Sequence, residues 1–400
     1  MIKKIATQSL KVGMYIHDLD AAWMSHPFFS SRFAVKNQTI IDDVIAAGIK
    51  HVYIDTERGM DFEMAVPLEV VQQEINDSKQ QVADEQSGLD KQISFEAELV
   101  QAKSVIYEAN KAMRSFMQDA RFGQHIESSA VDEVVDNIMA SVFRNKDALL
   151  TLSRIKTVDQ YTFMHSISVC VLMTAFAQAM EYDDETARQI STGALMHDLG
   201  KMRVSPGLLN KPGPLTEAEF VEMKRHVEYG AEQLSEFGWL SDVSMSVVMQ
   251  HHERIDGSGY PFGLRNEALS EVGQMAAIVD VYDVLTSNRC YKKACEPTYT
   301  LGKMLEWSSD HFGEELAHQF VRCVGIYPVG TLVRLNSGMI AVVVEQDEAQ
   351  LLSPRVRQVF NVNSGRYTLL EDIDLAVTGS VAIVESVSPQ KVGIDPLSFI

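Results

Sequence analysis

The sequence predicts a mainly α-helical protein with a small α/β module at its N-terminus and a β-rich appendage at its C-terminus. Three textures point there: a mixed first segment, a long stretch of helical periodicity, and a closing run of short apolar segments separated by turns. In residues 1–65, Met14-Tyr15-Ile16 and His51-Val52-Tyr53-Ile54 read as strands, and Ile40 to Ala47 as a helix ended by Gly48. Trp23, Pro27, Phe28, Phe29 and Phe33 gather in this module and suit a compact core, with a docking surface as the alternative. From Gln72 to Gln92 the sequence turns polar, with repeated Gln and Asp, which suits a mobile linker over residues 66–93.

Residues 94–150 predict connecting helices. Phe95, Leu99, Ala102, Ile106, Ala109, Met113 and Phe116 alternate spacings of four and three, which lines them along one helix face. Val131, Val134, Val135, Ile138 and Met139 repeat the pattern after Gly123. These stripes suit packing onto the following domain, where the alanines would fit, and they also suit a parallel homodimer seam. Residues 151–325 form the main helical domain. In residues 326–400, Thr331-Leu332-Val333, Ile340 to Val344, Gln350 to Leu352 and Ser380 to Val384 read as strands of an accessory element.

A chain of 400 residues is long enough for two or three domains. Its formal charge of -20, from 55 acidic against 35 basic residues, disfavours DNA or RNA duplexes, whose non-specific binding rests on neutralising many phosphates. One small phosphate-bearing ligand is not excluded. The four cysteines show no repeated ligand spacing. Gln8, Lys11 and Gly13 interrupt any signal-like apolar core, and the apolar tract from Ser168 to Met180 is too short to span a bilayer. Membrane insertion is therefore not expected, and the cytoplasm is the expected location.

Five of the eleven histidines fall between residues 165 and 252: His165, His197, His226, His251 and His252. Each lies in helix-like sequence. Neighbours on a helix diverge by about 100°, so the pairs His197-Asp198 and His251-His252 can each converge on a site between their directions. Asp280 sits in the apolar run Met275 to Val281, where an uncompensated carboxylate is costly and a cation removes the cost. A lone histidine on an apolar face is more often a satisfied core residue, and His17-Asp18 is given no role beyond a surface strand. Together, five histidines and two aspartates on successive helices fit a dinuclear site with a shared carboxylate. Nitrogen and oxygen donors without cysteine point to Fe or Mn ahead of Zn, Ni or Co.

The stretches His197-Asp198-Leu199-Gly200-Lys201, Lys211 to Thr216, His226 to Gly230, His251-His252-Glu253-Arg254-Ile255-Asp256-Gly257-Ser258-Gly259-Tyr260-Pro261 and Asp280 to Arg289 resemble, in order and spacing, the HD-GYP family of metal-dependent phosphohydrolases. The resemblance covers roughly residues 150–325. It implies an all-helical HD-type catalytic domain. One ion is then held by His165, His197, Asp198 and Asp280, and the other by Asp198, His226, His251 and His252. Relatives with a third ion use a glutamate four residues ahead of the first histidine; here that position is Tyr161, so two ions are expected. Lys201, Arg289 and Lys292 are implied near the substrate phosphates, and Tyr260 as a substrate or loop contact. The N-terminal module is similar to one often found ahead of such domains, where regulatory partner contacts are expected.

The function that follows is hydrolysis of cyclic di-GMP to linear pGpG, with GMP as a further product of some relatives. A hydroxide bridging the ions attacks phosphorus, and Lys201 offsets the charge that grows in the transition state. The alternatives are a preference for another cyclic dinucleotide such as cyclic GMP-AMP, or nucleotide binding without turnover. Gly257 and Gly259 could serve only to turn the chain, or could also place the loop beside the active site.

Overall fold

The computed structural model describes residues 1–21, 28, 31–84, 92–154, 161–211, 213, 215–287 and 294–400. Trp23, Pro27 and Phe29 of the aromatic cluster, and the substrate candidates Arg289 and Lys292, lie outside the described residues. The chain divides into two compact units: residues 1–78 with 204–224, and residues 79–203 with 225–400.

The first unit is built on a five-stranded antiparallel sheet. Its strands are β1 (Ile2–Ala6), β2 (Tyr15–Asp18), β3 (Phe33–Ala34), β4 (His51–Asp55) and β5 (Val66–Pro67), in the order β3-β2-β4-β1-β5. Helix α1 (Gln38–Ala46) starts at Asn37, whose side chain accepts from the Ile40 N–H at 3.1 Å. Ile16, Val44, Val52 and Ile54 fill the core, and Phe28 and Phe33 stack against it with ring centres 5.6 Å apart. For those two rings the compact-core reading holds. Two short helices, α7 (Pro206–Leu209) and α8 (Glu217–Lys224), belong to this unit's second segment. Thr216 and Glu219 exchange side-chain to backbone bonds at the start of α8, a capping box.

The stretch expected as a linker is helical through much of its length: α2 runs Leu68–Asp84. Its polar composition hid two compensations. Gln73 bonds Asp77 and Gln80 bonds Asp84 at i,i+4 spacing on the exposed side, while Val71, Ile75 and Val82 are buried.

The second unit is mainly helical. Helices α3 (Phe95–Arg121) and α4 (Ser128–Ser153) pack against each other, and the stripe from Phe95 to Phe116 joins the same core as α5 (Tyr161–Ala179) and α6 (Asp184–Met196). The intramolecular reading of that stripe is therefore the one the fold uses. Within it sits Glu98, fully buried, held by Arg144 at 2.6 and 2.8 Å and by Ser141 at 2.5 Å. A buried carboxylate so completely bonded fixes how the two helices meet more than it adds stability. Helix α5 is apolar on all sides and is buried on all sides. The helical part continues with α9 (His226–Phe237), α10 (Asp242–Gln250), α11 (Glu271–Thr286), α12 (Pro297–Trp307) and α13 (Glu314–Val324). No helix among the described residues is long and apolar enough to cross a membrane.

The C-terminal sheet has the order β10-β6-β7-β8-β9, from β6 (Leu332–Leu335), β7 (Met339–Glu345), β8 (Arg355–Asn361), β9 (Arg366–Asp374) and β10 (Ile383–Ser386). The strand expected over Gln350 to Leu352 is instead a turn, closed by the Ser353 N–H donating to the Gln350 carbonyl at 2.8 Å. Strands β8 and β9 mix apolar with charged residues. Arg357 and Asp372, directly paired across them, form a two-pronged ion pair at 2.6 and 2.9 Å.

Candidate metal centre

Two of the histidines end helices, and each does so in the same way. His197 caps the C-terminus of α6 with its Nδ1 2.7 Å from the Ala194 carbonyl, and His251 caps α10 with its Nδ1 2.7 Å from the Val248 carbonyl. A carbonyl only accepts, so Nδ1 carries the proton in both rings and Nε2 is left as a lone pair. Each ring satisfies one of the carbonyls that a helix end leaves without a partner. His165, from α5, is fixed by a carboxylate: its Nδ1 lies 2.7 Å from Asp283 Oδ2, and its Nε2 points to Asp280 Oδ1 at 3.0 Å. His226 opens α9, and His252 follows His251 directly.

These side chains converge on Asp198. Its Oδ2 is 3.4 Å from both His165 Nε2 and His197 Nε2, and its Oδ1 is 3.4 Å from His226 Nε2 and 3.9 Å from His251 Nε2. Asp280 Oδ2 lies 3.5 Å from His252 Nδ1. All seven expected residues thus meet in one place, forming candidate metal-binding clusters of His165, His197 and Asp280, of His226, His251 and His252, and of His197, Asp198 and His251. The donor set is internally unsatisfied. Among the described residues, buried His197 Nε2, Asp198 Oδ1 and His252 Nε2 have no hydrogen-bond partner, and His251 Nε2 faces His226 Nε2 at 3.4 Å. Convergent buried lone pairs without donors are costly unless a cation lies among them, so these residues fit divalent metal ions.

The electrostatics agree. Burial opposes ionisation of Asp198, yet Lys201, His197 and His165 hold its pKa well below the usual carboxylate range. Asp280 is likewise lowered against its burial by His165 and His252. Burial, with His197 and His226 adding to it, takes His251 down to about 3, and burial with His251 takes His252 well below its ordinary value. Both rings are neutral at pH 7, the form that ligates. Burial alone would lower His165, but Asp280 and Asp283 outweigh it and raise its pKa.

The main chain brings the ligand-bearing segments close. A Cβ on Gly200 would lie 2.0 Å from the His226 carbonyl and 2.3 Å from the Gly230 amide, so only glycine lets the 198–201 turn rest on the first turn of α9. A Cβ on Gly259 would similarly meet the Glu253 backbone at 2.4 Å. The segment 257–264 therefore folds back onto its own double-histidine turn. Tyr260 lands with its ring 4.6 Å from His252 and 6.4 Å from His226, and Lys201 Nζ sits 2.5 Å from Asp198 Oδ2.

Two residues of this site were missed in the sequence. Asp283 lies three residues beyond Asp280, a spacing that puts both on one face of α11, and this was the available signal. Glu253 is buried beside His252, and its carboxylate accepts the N–H groups of Phe262, Gly263 and Leu264 at 2.7, 3.1 and 3.0 Å. It clamps the loop that carries Tyr260.

Comparison with known proteins places this geometry. A model described as an HD domain matches residues 142–316, which contain all seven convergent residues; a domain of unknown function matches 2–131, and a KOW domain associated with HD domains matches 332–394. A cyclic di-GMP phosphodiesterase of Pseudomonas aeruginosa is 38% identical over 394 residues, spanning 98% of this chain and 93% of that protein. The chain belongs to the HD-GYP family of cyclic-dinucleotide phosphodiesterases. Other relatives match over shorter stretches. A cyclic di-GMP phosphodiesterase response regulator of Xanthomonas campestris is 38% identical over 151 residues, 36% of this chain and 39% of its own length. A 3'3'-cGAMP-specific phosphodiesterase of Vibrio cholerae is 34% identical over 146 residues, 36% of this chain and 33% of its own length.

Proposed function

We propose that this HD-GYP protein hydrolyses cyclic di-GMP to linear pGpG using two ions, Fe or Mn. His165, His197, Asp198 and Asp280 hold one, and Asp198, His226, His251 and His252 hold the other. The observation that carries the reading is Asp198, whose two oxygens face the two histidine groups from between them. When bound, the ions supply an activated water and charge neutralisation at the scissile phosphate. Asp198 holds both positions in register, and Asp283 keeps the Nε2 lone pair of His165 turned inward. Tyr260 closes the side next to His252, where it shields the phosphate from bulk water.

Substrate choice is tested by offering purified, metal-replete protein cyclic di-GMP and 3'3'-cGAMP and resolving the products. Faster conversion of cyclic di-GMP to pGpG, with two ions per chain by metal analysis, is the expected result. The similarity to a cGAMP-specific enzyme makes cyclic GMP-AMP the competing substrate, and a clear preference for it would replace this reading. No turnover of either with both ions bound would leave a nucleotide-binding protein.

Lys201 gives a separate prediction. Its ammonium supplies donors only, so it cannot ligate a cation, and it already reaches the shared carboxylate. Lys201→Met should keep both ions while turnover falls roughly tenfold or more, about 1.4 kcal/mol in transition-state terms. Single-turnover rates equal to wild type would remove Lys201 from the chemical step.

A further inference from the structure

Arg254 lies two residues beyond His252, on the turn from which the 257–264 loop departs. Its main chain is pinned: the Gly257 N–H donates to the Arg254 carbonyl at 2.9 Å, and Gly259 packs so closely that a Cβ there would come within 2.5 Å of the Arg254 amide nitrogen. Its side chain is partly buried, yet among the described residues its guanidinium makes no hydrogen bond and no ion pair. Other arginines at comparable depth are occupied: Arg144 grips Glu98, Arg154 donates to the Val329 carbonyl, and Arg357 grips Asp372. Asp256, the nearby carboxylate, receives the Ser258 N–H at 2.8 Å instead.

Arg254 also belongs to the same turn as the double histidine, two residues from His252. Tyr260, whose ring lies against His252, is within electrostatic reach of both Arg254 and the metal-site carboxylates Asp198 and Asp280. An arginine presents five donors in a rigid planar fork. That fork matches a pair of adjacent acceptors: two oxygens of one phosphate, or O6 and N7 of one guanine. A partly buried fork that bonds nothing among the described residues is available for such an edge.

We propose that Arg254 is a substrate-recognition residue that takes a paired-acceptor edge of the cyclic dinucleotide, at a position beyond the metal ions. This rests on the reading above that a cyclic dinucleotide is the substrate. The remainder of the cyclic dinucleotide offers two sources for such an edge, the phosphate that is not being cleaved and a guanine base. Both are served by the same donors. Lysine carries the charge without the fork, so it should restore binding only in part.

The test uses the full-length, metal-loaded protein as wild type, Arg254→Ala, Arg254→Gln and Arg254→Lys. Metal content is measured for each, with kcat and KM for cyclic di-GMP, and cyclic di-AMP is supplied as substrate or competitor. Arg254→Ala and Arg254→Gln should keep both ions and kcat within about twofold while KM rises about tenfold or more, with Arg254→Lys between them and wild type. Equal weakening toward cyclic di-GMP and cyclic di-AMP assigns the fork to the phosphate; weakening confined to cyclic di-GMP assigns it to guanine. Arg254→Gln keeps a planar polar end, so it decides the matter if the alanine variant fails to fold or to hold its ions. An active wild type with an unchanged KM in Arg254→Gln overturns this inference alone. A wild type that neither binds nor cleaves a cyclic dinucleotide overturns the reading beneath it as well.

Discussion

Asp198→Ala should reduce hydrolysis by about three orders of magnitude or more, roughly 4 kcal/mol of transition-state stabilisation, and should release bound metal. The size follows from how many groups this one carboxylate serves. Oδ2 meets His165, His197 and Lys201, while Oδ1 meets His226 and His251. Alanine would leave Lys201 facing a buried space without its counter-charge, and would leave both histidine groups without their shared anion. Asp198→Asn is the sharper variant because it keeps the volume. Its amide turns one acceptor into a donor and removes the charge, so metal loss is expected there too while the fold, read by circular dichroism, stays intact. Near wild-type hydrolysis with two bound ions in either variant would sink the shared-carboxylate assignment.

Asp283→Ala is expected to weaken metal binding by roughly 10- to 100-fold, the usual range when an outer partner of a ligating histidine is lost. Asp283 is buried, and at 2.7 Å from Nδ1 it is what keeps the proton on the side of His165 away from Asp198 and Asp280. Without it the ring can turn or switch tautomer, and the Nε2 lone pair is no longer committed to the site. Asp283→Asn can still offer a carbonyl oxygen to that N–H, so it should fall between wild type and alanine. Titrating metal into chelator-stripped protein measures the affinities directly, and nitrogen chemical shifts of the His165 ring report the tautomer. Affinity and tautomer unchanged in Asp283→Ala would mean that α5 alone orients the ring.

Much of the helical architecture was legible because the residues that form it repeat at its period. The stripe from Phe95 to Phe116 is one face of α3, and the runs before His197 and His251 are helices that end at those residues. Helix α2, expected as part of a linker, and strands β8 and β9, left unassigned in the sequence, also rest on polar pairs. Helix α2 is laced by Gln–Asp bonds at i,i+4, and β8 and β9 are joined by Arg357 and Asp372, partners that are 15 residues apart in the chain. Glu98 broke the apolar pattern of α3 without breaking the helix, because Arg144 and Ser141 come from α4 to meet it.

In the site, all seven residues expected as metal ligands come together, since local helical geometry and motif order already place them. What the sequence did not give was their support. Asp283 and Glu253 are ordinary acidic residues whose roles appear only when His165 and the 262–264 backbone are seen against them. Arg254 was passed over for the opposite reason: it stands out by bonding nothing among the described residues, which only a folded structure reveals.

The capping bonds of His197 and His251 change what a histidine deletion means. Each ring closes a helix through one nitrogen and faces the metal site through the other. Ligand-free and metal-free are therefore different molecules. Stripping the ions leaves α6 and α10 terminated as before, whereas an alanine at either position also returns a buried carbonyl, Ala194 or Val248, to the state of an acceptor with nothing to accept. A fall in stability measured on such a variant mixes the worth of the ion with the worth of the cap, and only the chelated wild type isolates the former.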